Sequence, residues 1–155
     1  MQRMKSMKKH ERRLRKKLAK IQYRRNRAIF IELCIQMKKE IPSYVKRLLN
    51  LRKQAILLNR AKVSLGSWEP KPKDCHHNVT VWCQYNRKYK KVRGWLYFNT
   101  LKRFVAHSVV KAPDGKIYDI TPYEVPNTYP FIPAHIEERK YVAIVHLSGG
   151  NLYHY

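Results

Sequence analysis

The chain is short of acidic residues and of long apolar runs. It has 10 Asp and Glu against 34 Lys and Arg in 155 residues, which leaves a formal net charge of +24. A charge of this size opposes compaction by self-repulsion unless a polyanion or another partner neutralises it. Nucleic acid is the first candidate for that partner, and an anionic membrane surface or an acidic protein is the second. No stretch of about 18 apolar residues occurs, so no transmembrane helix is expected.

Cysteine is also scarce, and its count is odd. Three cysteines at irregular spacing do not make a disulfide framework and indicate a reducing, intracellular setting. The basic N-terminus is not followed by an apolar segment, so no signal peptide is expected. These features favour the cytoplasm or a virion as the location of the protein. The apolar fraction of 44% suits one domain with an appendage.

The N-terminal region lacks proline and glycine up to residue 41 and is strongly basic. Its first 30 residues carry 13 Lys or Arg and a single acid, Glu11. Apolar residues recur here at helical spacing: Met4, Met7, Leu14, Leu18, Ile21 and Ala28. This pattern predicts a long helix with one narrow apolar stripe and basic flanks, which we interpret as an arm that contacts nucleic-acid phosphates. The candidate contacts are Arg12, Arg13, Arg15, Lys16, Lys17, Lys20, Arg24, Arg25 and Arg27.

Proline is expected to divide this region into two helices. Pro42 removes a helical hydrogen bond and restricts the residue before it, so the first helix should end at or just before Ile41. Ser43 would then cap a second helix over residues 44–62. Two helices with so short a connection form an antiparallel hairpin. Residues 1–62 are therefore predicted to form a basic helical arm or hairpin.

A domain boundary is predicted where proline and glycine become frequent. Residues 63–74 are interpreted as a linker, and residues 75–155 as a small domain. Asp74 is placed to cap a short helix that runs from Cys75 or His76 to about Tyr85, which puts Cys75 in its first turn. The first turn of a helix offers free N–H groups and partial positive charge, which favour the reactive thiolate form of a cysteine.

The remainder of the chain predicts a small antiparallel sheet. Strands are expected near residues 92–98, 103–111 and 116–121, and the Pro113-Asp114-Gly115 segment indicates a hairpin turn. The four prolines of residues 122–136 predict an irregular loop, and residues 140–147 a last strand. The predicted fold class is α+β: a basic helical hairpin followed by the sheet, with the cysteine-bearing helix packed on it.

The register of the predicted hairpin decides whether His107 and Asp119 can act together. A three-residue loop would pair Ala112 with Lys116 and place His107 and Asp119 on one face, as diagonal neighbours. A two-residue loop would pair Val110 with Asp119, and the two side chains would then point to opposite faces.

The sequence contains one candidate catalytic triad, which consists of Cys75, His107 and Asp119. A thiol nucleophile needs an imidazole to take its proton, and the imidazole needs a carboxylate or amide to orient it. The three residues occur along the chain in the order nucleophile, base and orienter. We predict that they form a catalytic triad that requires no cofactor.

A zinc site is the alternative use of the cysteines and histidines in this region. Its ligands would be Cys75, His76, His77 and Cys83. Structural zinc sites use paired ligands two to four or three to five residues apart, and these four do not have that spacing. No metal site is therefore predicted.

The order of these residues resembles the papain-like and transglutaminase-like thiol enzymes. The segment HSVVKAPDGKIYDITP is similar to the His-strand, Asp-Gly turn and Asp-strand of transglutaminase-like domains. The Cys-His, Gly-Trp and Asp-x-Thr-Pro pattern also resembles a group of small uncharacterised bacterial and phage proteins. The resemblance covers roughly residues 73–122 and implies that Cys75 is the nucleophile, His107 the base and Asp119 the orienter.

The chain departs from the papain pattern around the cysteine. The Cys-Gly-Ser-Cys-Trp context is absent, and no glutamine just before Cys75 offers a hydrogen bond to an oxyanion. The amide of Cys75 is a candidate for one oxyanion donor. His76 and Trp68 are candidates for the second donor.

Two functions therefore stay open at the level of sequence. The leading prediction is a thiol hydrolase or acyltransferase acting on an amide or ester bond, with a protein as a possible substrate. Its basic arm would deliver it to nucleic acid or to a nucleoprotein assembly such as a ribosome, a chromosome or a packaged genome. The alternative is a non-catalytic structural component of a phage virion or nucleoprotein.

Overall fold

The described part of the chain combines helices with one sheet. The computed structural model describes residues 2–123 and 129–154 and, within the N-terminal helix, side chains from Arg12 onward. The helices are α1 (Gln2–Leu51), α2 (Cys75–Tyr85) and α3 (Glu138–Ser148). The strands are β1 (Asn59–Arg60), β2 (Lys90–Phe98), β3 (Arg103–Lys111), β4 (Ile117–Asp119), β5 (Phe131–Pro133) and β6 (Asn151–Tyr153). The predicted α+β class is confirmed.

Helix α1 continues through Pro42, so the predicted helical hairpin and its second helix over residues 44–62 are wrong. Ser43 does not begin a new helix, and its hydroxyl donates to the carbonyl of Glu40 at 2.8 Å. The buried stripe of α1 runs past the proline on both sides and comprises Met37, Tyr44, Val45 and Leu48. A proline inside a helix costs about 3 kcal/mol, whereas each large apolar side chain contributes about 1.5–3 kcal/mol on burial. Packing therefore outweighs the proline.

The sheet is built around the β2–β3 hairpin. The strand order is β1-β4-β3-β2-β5, and β6 pairs with β3 beside β4. Strand β1 runs parallel to β4, so the sheet of the described residues is mixed and not wholly antiparallel as predicted. The predicted strands near 92–98, 103–111 and 116–121 are confirmed as β2, β3 and β4. Strand β3 has the predicted bounds, β2 begins earlier, and β4 is shorter than predicted.

The C-terminal region contains two elements that differ from prediction. The strand expected over residues 140–147 is wrong, because this segment is helix α3. A continuous apolar run suits a buried helix as well as a strand, and the left-handed Gly149 (φ 57°) ends the run as a helix terminus. The loop expected over residues 122–136 contains strand β5, and its residues 124–128 lie outside the described part.

The two faces of the sheet bury different clusters. Helix α3 and the C-terminal half of α1 pack on one face against side chains that include Trp95 and Phe104. Helix α2 packs on the same face further along β3, where Val79 meets Val110. Phe131 packs with Leu96 and Val109 on the opposite face. Alternation along β3 places His107 on that opposite face.

No helix among the described residues is long and apolar enough to cross a membrane.

Candidate active site

The β3–β4 turn has the register that brings His107 to Asp119. The amide of Ala112 donates to the carbonyl of Lys116 at 2.8 Å, which closes the predicted three-residue loop. Gly115 has a φ of 85° in this turn, a conformation that side chains rarely adopt. The His107 Nε2 consequently lies 2.8 Å from Asp119 Oδ2.

Asp119 holds the imidazole from a buried position. His107 is 3% exposed and Asp119 5% exposed. The second carboxylate oxygen, Oδ1, accepts the amide N–H of Thr121 at 2.9 Å. Because Nε2 of His107 is engaged by the carboxylate, Nδ1 is the ring nitrogen that remains for the thiol.

Cys75 is the first residue of α2, which is one of the two predicted starts of this helix. Asp74 occupies the N-cap position, but its side chain makes no capping hydrogen bond. The carbonyl of Asp74 accepts the first helical hydrogen bond from the amide of Asn78 at 2.9 Å. The amides of Cys75, His76 and His77 therefore precede the helical hydrogen-bond ladder and have no partner within it.

The thiol and the imidazole change each other's ionisation. Burial alone would raise the pKa of Cys75, but hydrogen bonds from His107 and His76 and the positive charge of His107 lower it to about 6. Burial alone would lower the pKa of His107, but hydrogen bonds to Asp119 and Cys75 raise it to about 9. Between these two values the pair exists as a thiolate and an imidazolium, which is the reactive form of a cysteine nucleophile.

The first turn of α2 meets β3 where neither β4 nor β6 pairs with it. Strand β4 pairs with β3 at residues 110–111, and β6 pairs with it at residues 103–105. Between these pairings, His107 and Ser108 point to opposite faces because strand side chains alternate. Cys75 contacts His107, and the next residue of the helix, His76, contacts Ser108. Two consecutive helix residues thus straddle the strand.

A polar network behind the cysteine was not predicted as a unit from the sequence. The Nδ1 atom of His76 lies 2.5 Å from the Ser108 Oγ and 3.3 Å from the Arg93 Nη1. Arg93 donates to the same Ser108 Oγ at 2.8 Å. Its Nε and Nη2 donate to Glu138 Oε1 at 3.0 and 2.9 Å. These residues come from four separate elements, so no local spacing could have connected them.

Tyr123 covers the imidazole and was also missed. Its hydroxyl lies 3.1 Å from Nε2 and 3.3 Å from Nδ1 of His107. Burial, together with the charges of Asp119 and Cys75 and a hydrogen bond to Asp119, raises the pKa of Tyr123. The guanidinium of Arg60 lies 5.0 Å from the centre of the Tyr123 ring. Tyr123 therefore remains a neutral phenol that shields the buried pair from water.

Gly94 gives the imidazole room on its other side. The Phe131 ring packs edge-on against His107, with 6.4 Å between ring centroids. A Cβ atom on Gly94 would overlap that ring and the carbonyl oxygen of Ile132. The glycine of the Gly-Trp pair is thus required by close packing beside the site.

Asn78 ties the segment before α2 to the site. Its side-chain oxygen accepts the amide of Lys71 at 2.9 Å, and its Nδ2 donates to the Lys71 carbonyl at 2.7 Å. The same Nδ2 lies 3.5 Å from the hydroxyl of Thr121.

Trp68, one candidate for an oxyanion donor, pairs through its backbone with Leu65. His76, the other candidate, is the one in contact with Cys75.

A cavity lies beside the carboxylate end of the site. This cavity of about 440 Å³ is lined by Arg60, Lys62 and Glu69 and reaches Asp119 and Tyr123. Among the described residues, no group of three or more His, Cys, Asp or Glu side chains could hold a metal ion.

The predicted nucleic-acid contacts lie on the first half of α1. All nine candidate cations, from Arg12 to Arg27, are exposed. At about 1.5 Å per residue they span about 22 Å of helix. Leu14, Leu18 and Ile21 of the predicted apolar stripe are 50–58% exposed, whereas Met4 and Met7 lie outside the described side chains. Nucleic-acid contact by this surface stays a prediction.

Comparison of this chain with protein-family models, with curated proteins and with solved structures finds no match.

Proposed function

We propose that this protein is a thiol-dependent hydrolase or acyltransferase that acts on an amide or ester bond. The observation that carries the proposal is the buried His107, which binds Asp119 through one side of its ring and contacts the Cys75 thiol. This is the connectivity that nucleophile, base and orienter need. A histidine held only by the backbone would not combine these two partners.

In the proposed reaction, the Cys75 thiolate attacks the acyl carbon and the carbonyl electron pair moves onto oxygen. The resulting tetrahedral anion collapses, the bond to the leaving nitrogen or oxygen breaks, and His107 gives its proton to that atom. An acceptor then attacks the thioester while His107 takes the acceptor's proton. Cys75 leaves as a thiolate, and Asp119 keeps the imidazole oriented throughout.

The arm is proposed to hold this enzyme on nucleic acid or on a nucleoprotein assembly. The supporting observation is the exposure of its cations along one continuous helix. Exposed cations at this density displace the counterions of a phosphate backbone without reading its sequence. The arm would therefore determine where the enzyme acts, while the cysteine site would determine the reaction.

The pH dependence of thiol alkylation tests the proposed nucleophile. Iodoacetamide should label the wild-type protein with a midpoint near the Cys75 pKa of about 6. Cys75→Ala should abolish this low-pH labelling. Cys83→Ala is the matched control, because burial raises the pKa of the Cys83 thiol and its removal should leave the low-pH labelling intact. A midpoint near the ordinary thiol value of about 8.5 would favour the non-catalytic structural component.

An activated ester tests the acyl-transfer step itself. Wild-type protein mixed with p-nitrophenyl acetate should release a burst of p-nitrophenolate close to one equivalent as the thioester forms. Mass spectrometry should find the acetyl group on Cys75. If low-pH alkylation is present but no acetyl-enzyme forms, Cys75 is a reactive thiol and not an acyl-transfer nucleophile.

A further inference from the structure

The imidazole of His76 is held so that only one of its nitrogens can donate. Its Nδ1 faces Ser108 Oγ at 2.5 Å and Arg93 Nη1 at 3.3 Å. A guanidinium has only donors, so the nitrogen it approaches must accept. Ser108 Oγ accepts from Arg93 at 2.8 Å, and its own hydrogen is available to the accepting Nδ1 of His76. The ring proton of His76 is thereby assigned to Nε2.

The network that imposes this tautomer is well buried. Ser108 is fully buried, and the Arg93 side chain is 13% exposed. Two hydrogen bonds from Arg93 to Glu138 keep the guanidinium in place, and Lys91 approaches the same carboxylate at 3.1 Å. The Arg93 charge therefore cannot turn away from Nδ1 without breaking its bonds to Glu138.

We propose that His76 supplies the second oxyanion donor through its Nε2–H, beside the amide of Cys75. This inference rests on the proposed acyl-transfer function. His76 is within hydrogen-bonding reach of the sulfur, where the tetrahedral carbon forms. The Cys75 amide precedes the helical ladder and has no helical partner. Together the two donors stabilise the oxygen that becomes negative when the thiolate attacks.

The roles of the two histidines are consequently different. His107 moves a proton between sulfur, leaving group and acceptor, because Asp119 stabilises its charged form. His76 only donates a hydrogen bond through Nε2–H, because Arg93 and Ser108 occupy its other nitrogen. The adjacent His77 is exposed and provides a matched control of the same residue type.

Two reactions of the same sulfur test this assignment. Alkylation by iodoacetamide forms no oxyanion, whereas acetylation by p-nitrophenyl acetate does. In His76→Ala the Cys75 pKa should rise, because the hydrogen bond from His76 is lost. Both reactions are therefore measured at a pH above the alkylation midpoint of each variant, where alkylation should stay near the wild-type rate. The acetylation rate should fall by a factor of roughly 10²–10³. His76→Gln, whose amide can donate in place of Nε2–H, should recover part of the loss, and His77→Ala should change neither reaction.

Other outcomes overturn the assignment. If alkylation and acetylation fall together, His76 supports the thiolate and is not an oxyanion donor. If acetylation is unaffected, the donor lies elsewhere. If wild-type protein forms no acetyl-enzyme, the proposed function fails and this inference fails with it. Should His76→Ala not fold by circular dichroism, His76→Phe gives the same test, because its ring fills similar space without a donor and should lower acetylation more than alkylation.

Discussion

The cysteine site and the basic arm use side chains in opposite ways. At the site, nearly every polar atom of His107 and Asp119 has a named partner, and both residues are almost fully buried. On the arm, the candidate cations from Arg12 to Arg27 are all exposed along one helix. The proposed reaction at the site therefore depends on the relative positions of its side chains, whereas the proposed binding by the arm depends on the number of positive charges.

This difference predicts how each region tolerates change. Removing one member of a buried polar network leaves its partners unsatisfied in a low dielectric, where the loss is large. Removing one exposed cation from many lowers the electrostatic free energy of binding to nucleic acid by only one small contribution. The site should consequently fail abruptly on single substitutions, and the arm should weaken by small steps.

The largest effect is expected from His107→Ala. Loss of the proton carrier should lower acetylation by p-nitrophenyl acetate by roughly 10²–10⁴. The Cys75 pKa should also rise, because His107 provides the leading favourable interaction with the thiolate. Stopped-flow acetylation and alkylation midpoints measure these changes. An unchanged acetylation rate would show that the His107 imidazole takes no part in the acyl-transfer step.

A pH profile should show the ion pair directly. The lowered pKa of Cys75 makes the thiolate form as pH rises through about 6. The raised pKa of His107 preserves the imidazolium until pH rises through about 9. Acetylation should therefore rise about tenfold per pH unit below the first value and fall above the second. In Asp119→Asn the upper limb should move to lower pH, because the carboxylate is a main cause that raises the His107 pKa; an unmoved limb would contradict this.

Gly94→Ala should damage the site through packing alone. The added methyl overlaps the Phe131 ring, which packs against His107, and overpacking costs about 1–3 kcal/mol. Thermal unfolding should occur at lower temperature, and the alkylation midpoint of Cys75 should shift toward its ordinary pKa. Gly66→Ala is the control: its methyl meets open space at a φ of 58°, so it should cost some stability without altering Cys75. Equal effects on Cys75 from both variants would refute the packing argument.

The smallest effect is expected from a single arm substitution. Binding of mixed-sequence DNA or RNA should weaken steeply with salt, and Arg24→Gln should reduce the slope of log K against log salt by about 0.7–0.9. Lys116→Gln, at an exposed cation in the turn after β3, should leave the slope unchanged. Binding that is insensitive to salt would exclude the arm as a phosphate-contacting surface.

Sequence reasoning succeeded where local patterns determine structure. The Asp-Gly turn predicted the β3–β4 hairpin, and its register was narrowed to two alternatives with opposite consequences for His107 and Asp119. The N-terminal position of Cys75 on a short helix followed from Asp74 at the cap. These are short-range features, so the residues that decide them lie close together in the chain.

Sequence reasoning failed where long-range packing overrides a local structural preference. Pro42 should end a helix, but the apolar stripe from Met37 to Leu48 packs as one face and carries the helix past it. The apolar run at 140–147 suits both strand and helix, and packing of α3 on α1 selects the helix. Arg93 and Glu138 were missed because they are 45 residues apart and meet only in the folded sheet.

The β3–β4 turn makes the proposed chemistry sensitive to the number of residues and not only to their kind. Ala112 and Lys116 enclose three residues, and any set with the right backbone would preserve the alignment. Loss or gain of one residue in this turn would shift the register of β4 against β3 by one residue. The Asp119 side chain would then lie on the opposite face of the sheet from His107. A change of loop length at this surface position would thus abolish the proposed activity without altering a proposed reacting group.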